Sequence, residues 1–99
     1  MATNVEHELM SEIILKHPKK YKVFILNDDY TSMEFVIEIL MSIFHKTYTQ
    51  SEAIMLEVHK TQRGLCGVYT HQIAETKIMQ VITNAKENGF PLKAVMEEE

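Results

Sequence analysis

The chain has 99 residues, 45% of them hydrophobic, with ten lysines and arginines against fourteen aspartates and glutamates and a formal charge of −4. That describes one small domain with a modest core, and the acidic balance excludes a general phosphate-backbone binder, which carries a basic face. The single cysteine, Cys66, excludes an internal disulfide and every multi-cysteine zinc site, and no apolar run reaches the roughly 20 residues of a membrane-spanning helix. With no signal-peptide apolar core in the first twenty residues, the expectation is a reduced, cytoplasmic protein without a membrane partner.

Residues 1–18 read as a flexible N-terminal extension and residues 19–99 as the core. Val5, Leu9 and Ile13 are spaced by four, but a helix so short is marginal on its own, and Pro18 closes the segment. Residues 21–26 (YKVFIL) are β-branched and aromatic, and the turn formers Asn27-Asp28-Asp29 bound them, which predicts a buried strand. Thr31-Ser32-Met33-Glu34 reads as a capping box opening a helix to about residue 45. Thr49-Gln50-Ser51-Glu52 reads as a second, opening a helix that ends near Arg63-Gly64. Residues 65–70 (LCGVYT) predict a second strand. Residues 72–87 predict a third helix with Ala74, Ile78, Val81, Ile82 and Ala85 on one face. Asn88-Gly89 supplies a left-handed cap, Pro91 stops the helix resuming, and residues 92–96 form the last strand before the charged end, Glu97 to Glu99. The fold class is α+β: a small three-stranded antiparallel sheet packed against three helices, in the order βααβαβ.

Chemistry-bearing residues are few. Apolar residues of the first helix, from Met33 to Phe44, sweep an arc of roughly 240°, against the hundred or so degrees that a one-sided helix needs. Such a helix is either central or lines a groove along one edge, and Met33 by itself reads as core. Met55, Val58 and His59 share one face of the second helix, where a histidine is more often structural than a ligand. Asn27-Asp28-Asp29 is explained by turn chemistry. As a cation site its acceptors suit an ammonium better than calcium, because the EF-hand spacing is absent. Cys66, in a strand, reads as a small buried hydrophobe, and a thiol or metal hydrolase using His59 and Cys66 has no supporting elbow or ligand spacing. No P-loop or dinucleotide fingerprint occurs, so no enzyme, cofactor or metal is expected.

These motifs together resemble the ClpS family. The resemblance is carried by Tyr21-Lys22-Val23 through Leu26, Asn27-Asp28-Asp29-Tyr30-Thr31, Met33-Glu34-Phe35-Val36, Met55-Leu56 with Val58-His59, Cys66-Gly67-Val68-Tyr69-Thr70, Ala74-Glu75-Thr76-Lys77 and Pro91-Leu92. It spans about residues 19–97. It implies a monomeric adaptor, not an enzyme, that binds substrate proteins beginning with Leu, Phe, Tyr or Trp and delivers them to the N-domain of a Clp AAA+ unfoldase and its peptidase. By the resemblance, Asn27, Asp28 and His59 bind the substrate's α-amino group. Thr31, Met33, Val36, Met55, Val58 and Leu92 form the side-chain pocket and its rim, with Asp29 at the adjoining turn. Gln72, at a position often acidic in the family, and Lys77, which is retained, lie on the unfoldase-docking face. Ser32 stands where the family often has proline. The alternative is a partner that docks on the unfoldase N-domain and modulates it without reading substrate termini.

The proposed roles suit the residue types. An α-amine has a pKa of about 7.7–8 and is mostly an ammonium at neutral pH, so it calls for several acceptors. An internal peptide bond offers one neutral N–H and would leave them unsatisfied. Met33 is expected to gate the pocket against β-branched side chains. Removing Asp28 is expected to abolish binding with thermal stability nearly intact.

Overall fold

In the computed structural model, which describes residues 18–99, the run KYKVFIL forms β1 (Lys20–Leu26). The elements that follow are α1 (Met33–Ser42), α2 (Tyr48–Thr61), β2 (Arg63–Thr70), α3 (His71–Glu87) and β3 (Ala94–Glu98). The extension expected over residues 1–18 lies, apart from Pro18, outside the described residues. β1 is the central strand of a three-stranded sheet in the order β2-β1-β3, antiparallel to both neighbours. The observed order, βααβαβ, is the expected one.

The middle of β1 is buried without alternation, because each sheet face is covered differently. Val23 and Ile25 join the helix-covered core, while the Phe24 ring lies outside that cluster beneath the Arg63 guanidinium, 4.1 Å from the ring centroid. Arg63 is held there by Glu97 at 2.6 Å, so a charged side chain shields apolar surface with its planar head. Between Val23 and Phe24 the pairing slips by one residue, leaving Cys66 as the extra residue of a bulge on β2. Cys66 is fully buried, as expected for a small hydrophobe. Phe35, Val36, Ile39, Leu40, Ile43 and Phe44 pack into the core with Met55, Val58, Ala74, Val81 and Ala85, whereas Met33 and Met41 remain exposed. The wide apolar arc of α1 is therefore mostly core, with its N-terminal edge left over.

Several boundaries differ from expectation for local reasons. Ser32, not Thr31, caps α1, accepting from the Phe35 N–H at 3.2 Å, because the Thr31 hydroxyl donates instead to Asp28 Oδ2. α1 stops at Ser42 rather than near residue 45, since His45 takes a left-handed backbone (φ 55) and the Lys77 ammonium donates to the Ile43 carbonyl. The capping box of α2 sits two residues early. Thr47 accepts from Gln50 N–H and Gln50 Oε1 accepts from Thr47 N–H, glutamine serving as well as glutamate in that reciprocal pair. The left-handed residue closing α2 is Gln62 (φ 75), not a glycine near residue 64. Gly89, by contrast, has the positive φ expected beyond α3. β3 starts two residues late because Leu92 turns into the core ahead of it, and it runs on to Glu98, so the acidic end is structural. Glu97 pairs with Arg63 and Glu98 with Lys19.

Candidate functional site

At the C-terminal end of β1 the chain must leave the sheet and start α1, and residues 27–31 make that turn around one carboxylate. Asp28 Oδ1 accepts the backbone N–H groups of Tyr30 at 2.8 Å and Thr31 at 2.7 Å, and Oδ2 accepts the Thr31 hydroxyl at 2.7 Å. Partial burial pushes the Asp28 carboxyl up, but the Thr31 hydroxyl and the two backbone donors outweigh it, so its pKa is held below the ordinary aspartate value. A carboxylate has about four lone-pair directions. Three are taken, which leaves a full negative charge and one free acceptor direction on Oδ2.

The end of β1 is tied to the end of α2. Asn27 N–H donates to the Gln62 carbonyl at 2.9 Å, and Asn27 Nδ2 donates to Gln62 Oε1 at 3.2 Å. This brings the last turns of α2, with Met55, Val58 and His59, against the 27–31 turn and the first turn of α1. The three elements enclose a hollow of about 280 Å³ lined by Asn27, Asp28, Asp29, Thr31, Met33, Val36, Met55, Val58 and His59. Sites for drug-sized molecules run to roughly 300–1,000 Å³, so this one suits a single amino-acid side chain with its backbone end. Val36, Met55 and Val58 are its buried apolar lining, Met33 stands exposed, and Asn27, Asp28, Asp29, Thr31 and His59 supply its polar lining. The arrangement can hold a group with a cationic head and an apolar body.

Nine of the ten residues expected at the amine site and side-chain pocket thus line one hollow. Leu92 does not. It is buried and lines a separate apolar groove with Ile82, Phe90 and Val95, because the chain reaches the core there before entering β3. The two docking-face residues are placed differently from each other. Gln72 is exposed on a shallow hollow of about 600 Å³ along the outer face of α3, lined from that helix alone. Lys77 is half-buried, its ammonium donating to the Ile43 carbonyl at 2.6 Å and lying 5.9 and 5.6 Å from the centroids of the Phe44 and Tyr69 rings. Sequence reasoning missed Gln62, whose tie to Asn27 joins residues 35 positions apart and leaves no mark in any local spacing. It also missed a second hollow, about 360 Å³, across the 27–29 turn, where Tyr30, Pro91 and Lys93 face the same polar residues.

Cys66 is no candidate nucleophile. Burial raises its thiol to about 12, which keeps it protonated and unreactive at neutral pH. Among the described residues, no group of three His, Cys, Asp or Glu side chains could hold a metal ion, and no helix is long and apolar enough to cross a membrane.

Known proteins are similar to this chain in sequence and in fold. Residues 16–95 match the model of the family described as ATP-dependent Clp protease adaptor protein ClpS. The adapter protein ClpS of Wolinella succinogenes is 48% identical over 96 residues, covering 97% of this chain and 94% of the relative. That of Neisseria meningitidis is 51% identical over 98 residues, covering 96% and 95%. The solved structure of Agrobacterium tumefaciens ClpS2 bound to L-phenylalaninamide superposes with a TM-score of 0.80 at 39% identity, covering 83% of this chain and 99% of that one. The chain belongs to the ClpS family, the adaptor proteins of the ATP-dependent Clp protease.

Proposed function

We propose that this adaptor binds proteins through a free N-terminal Leu, Phe, Tyr or Trp and delivers them to a Clp AAA+ unfoldase and its peptidase. The observation that carries the reading is the convergence of Asn27, Asp28 and His59 with Met33, Val36, Met55 and Val58 on one hollow sized for a single residue. In this reading the Asp28 carboxylate, the Asn27 amide oxygen and a neutral His59 nitrogen share the three N–H donors of the ammonium, and the apolar wall takes the side chain. The phenylalaninamide held by the Agrobacterium relative has this chemistry: a free α-amine, a benzyl side chain and a capped carboxyl end. Burying a Leu or Phe side chain is worth about 1.5–3 kcal/mol, and each charge-assisted hydrogen bond about 1.5–3 kcal/mol, less the cost of ordering the peptide. Micromolar affinity follows, near −8 kcal/mol.

In the same reading the adaptor works as a cytoplasmic monomer and meets the unfoldase N-domain through the outer face of α3 around Gln72. Lys77 acts from beneath that face, where it is already committed to the end of α1. Fluorescence-anisotropy titration with matched peptides beginning in Phe, Leu or Ala, plus an N-acetylated Phe peptide, tests the recognition. Free Phe and Leu peptides are expected to bind at micromolar concentration or tighter, Ala much more weakly and the acetylated control not at all. Equal or absent binding across the set would remove the recognition and leave a docking role alone.

A further inference from the structure

Gln62 closes α2 in a left-handed backbone conformation (φ 75), which disfavours any residue carrying a Cβ. Glycine would end the helix there without strain. The glutamine does something glycine could not: its Oε1 accepts from Asn27 Nδ2 at 3.2 Å while its backbone carbonyl accepts from Asn27 N–H at 2.9 Å. One residue therefore fixes both the backbone and the side chain of Asn27. An asparagine amide is planar, with its donor and acceptor on opposite sides, so an Nδ2 committed to Gln62 turns Oδ1 away from it. Asn27 also lines the hollow in which the proposed function has the ammonium bind. We propose that Gln62 is a positioning residue, which sets the Asn27 amide so that its oxygen, not its NH2, meets the bound ammonium. An Asn27 free to flip would present two N–H donors to a cation for part of the time. This inference rests on free-amine recognition at Asn27, Asp28 and His59.

The test uses the full chain with Gln62→Gly, Gln62→Met and Gln62→Glu. Gly removes the backbone strain and the acceptor together, Met keeps the length without the acceptor, and Glu can only accept. Titrations with a free Phe peptide are run at high salt, which screens the added charge of the glutamate variant. Gln62→Gly is expected to melt at the same temperature as the parent or higher, yet to bind about three- to tenfold more weakly, as loss of one hydrogen bond's worth of ordering implies. Gln62→Met is expected to lose a similar factor and Gln62→Glu to bind like the parent. In the ligand-free protein, the Asn27 side-chain NH2 protons are expected to exchange faster with water in the Gly and Met variants. Parental affinity in both Gly and Met variants, or a Glu variant as weak as Met, overturns the role. If the parent itself binds no free-amine peptide, it is the recognition reading that falls. The exchange measurement still judges the Gln62–Asn27 tie, and unchanged exchange in Gln62→Gly overturns it.

Discussion

The Thr31 hydroxyl donates to Asp28 Oδ2 at 2.7 Å while the Thr31 backbone N–H donates to Oδ1 at the same distance, so one threonine engages both oxygens of one carboxylate. That pair decides three things at once. It moves the cap of α1 to Ser32, it holds Asp28 ionised, and it orients the one unused acceptor direction of Oδ2. Turn formation and the proposed binding of an ammonium are thus two uses of one side chain.

Asp28 substitutions should separate those uses. Asp28→Ala removes three hydrogen bonds that organise the turn, which is comparable to losing a helix cap, about 0.5–2 kcal/mol. A domain of this size should then lose about 4–8 °C in melting temperature per kcal/mol. The three hydrogen bonds favour this loss over the nearly intact stability that the sequence alone suggests. Asp28→Asn keeps one acceptor oxygen for the backbone donors and removes the charge. At neutral pH it should melt below the parent, because it lacks the stabilising charge, but above Asp28→Ala, and it should lose at least about tenfold in affinity for a free Phe peptide, matching one charge-assisted bond. Calorimetry and anisotropy on the two variants check this; parental affinity in Asp28→Asn would remove the charge from the mechanism.

The same carboxyl sets an acid limit on stability. Its pKa is lowered in the folded state, so the folded chain holds fewer protons on this group than the unfolded chain. The stabilisation is therefore complete above the unfolded pKa, near 4, and is lost as pH falls through the folded value. Urea unfolding midpoints between pH 6 and pH 3 should drop for the parent and drop less steeply for Asp28→Asn. Parallel curves would show that other carboxylates carry the acid dependence.

How far the sequence revealed this architecture depended on range. Element types and their order follow from local period and turn chemistry, as with the unbroken run of β1 or the Asn88-Gly89 end of α3. Both expected capping boxes fell on the wrong residues: the Thr31 hydroxyl went to Asp28 and left the cap to Ser32, and Thr47-x-x-Gln50 formed the reciprocal pair in place of Thr49-x-x-Glu52. The hollow itself was legible through the family resemblance rather than through spacing, since Asn27 and His59 lie on elements that only the fold brings together. The Arg63–Glu97 shield over Phe24 and the Gln62–Asn27 tie join residues more than thirty positions apart, and no periodicity encodes them.

Met33 offers a test of selectivity with little risk to the fold. It is 60% exposed while its neighbours Val36 and Met55 are buried, so truncation leaves the core intact. Met33→Ala should cost under about 1 kcal/mol in stability, as surface changes usually do. The expected gain is entry of β-branched side chains, whose second branch at Cβ cannot rotate clear of a narrow mouth. Peptides beginning in Ile or Val should tighten several-fold relative to Leu. An unchanged Ile-to-Leu ratio would show that selectivity is set deeper, at Val36 and Val58.

Two glycines allow the coupling between fold and site to be measured. A Cβ on Gly64 would fall 2.6 Å from Val58 Cγ2 and 3.0 Å from the Ile54 Cγ2 and carbonyl oxygen, so α2 packs on β2 through the space that a side chain would fill. Val58 is also part of the pocket wall. Gly64→Ala must push Val58 or the backbone of α2, an overpacking cost of about 1–3 kcal/mol, and the displacement is transmitted to the apolar lining of the hollow. Gly89 differs in cause and in place. A Cβ there meets nothing within 4 Å, and its penalty comes from the positive φ of 77° beyond the end of α3. Gly89→Ala should therefore destabilise by about 1 kcal/mol through the backbone alone, at a residue that does not line the hollow. Chemical denaturation is expected to show losses in both variants. Titration with a free Phe peptide should show weakened binding only in Gly64→Ala, under conditions where both variants remain folded. Equal affinities in the two would mean that the pocket wall absorbs the Val58 displacement, and that the apolar lining does not depend on the close packing of α2 against β2.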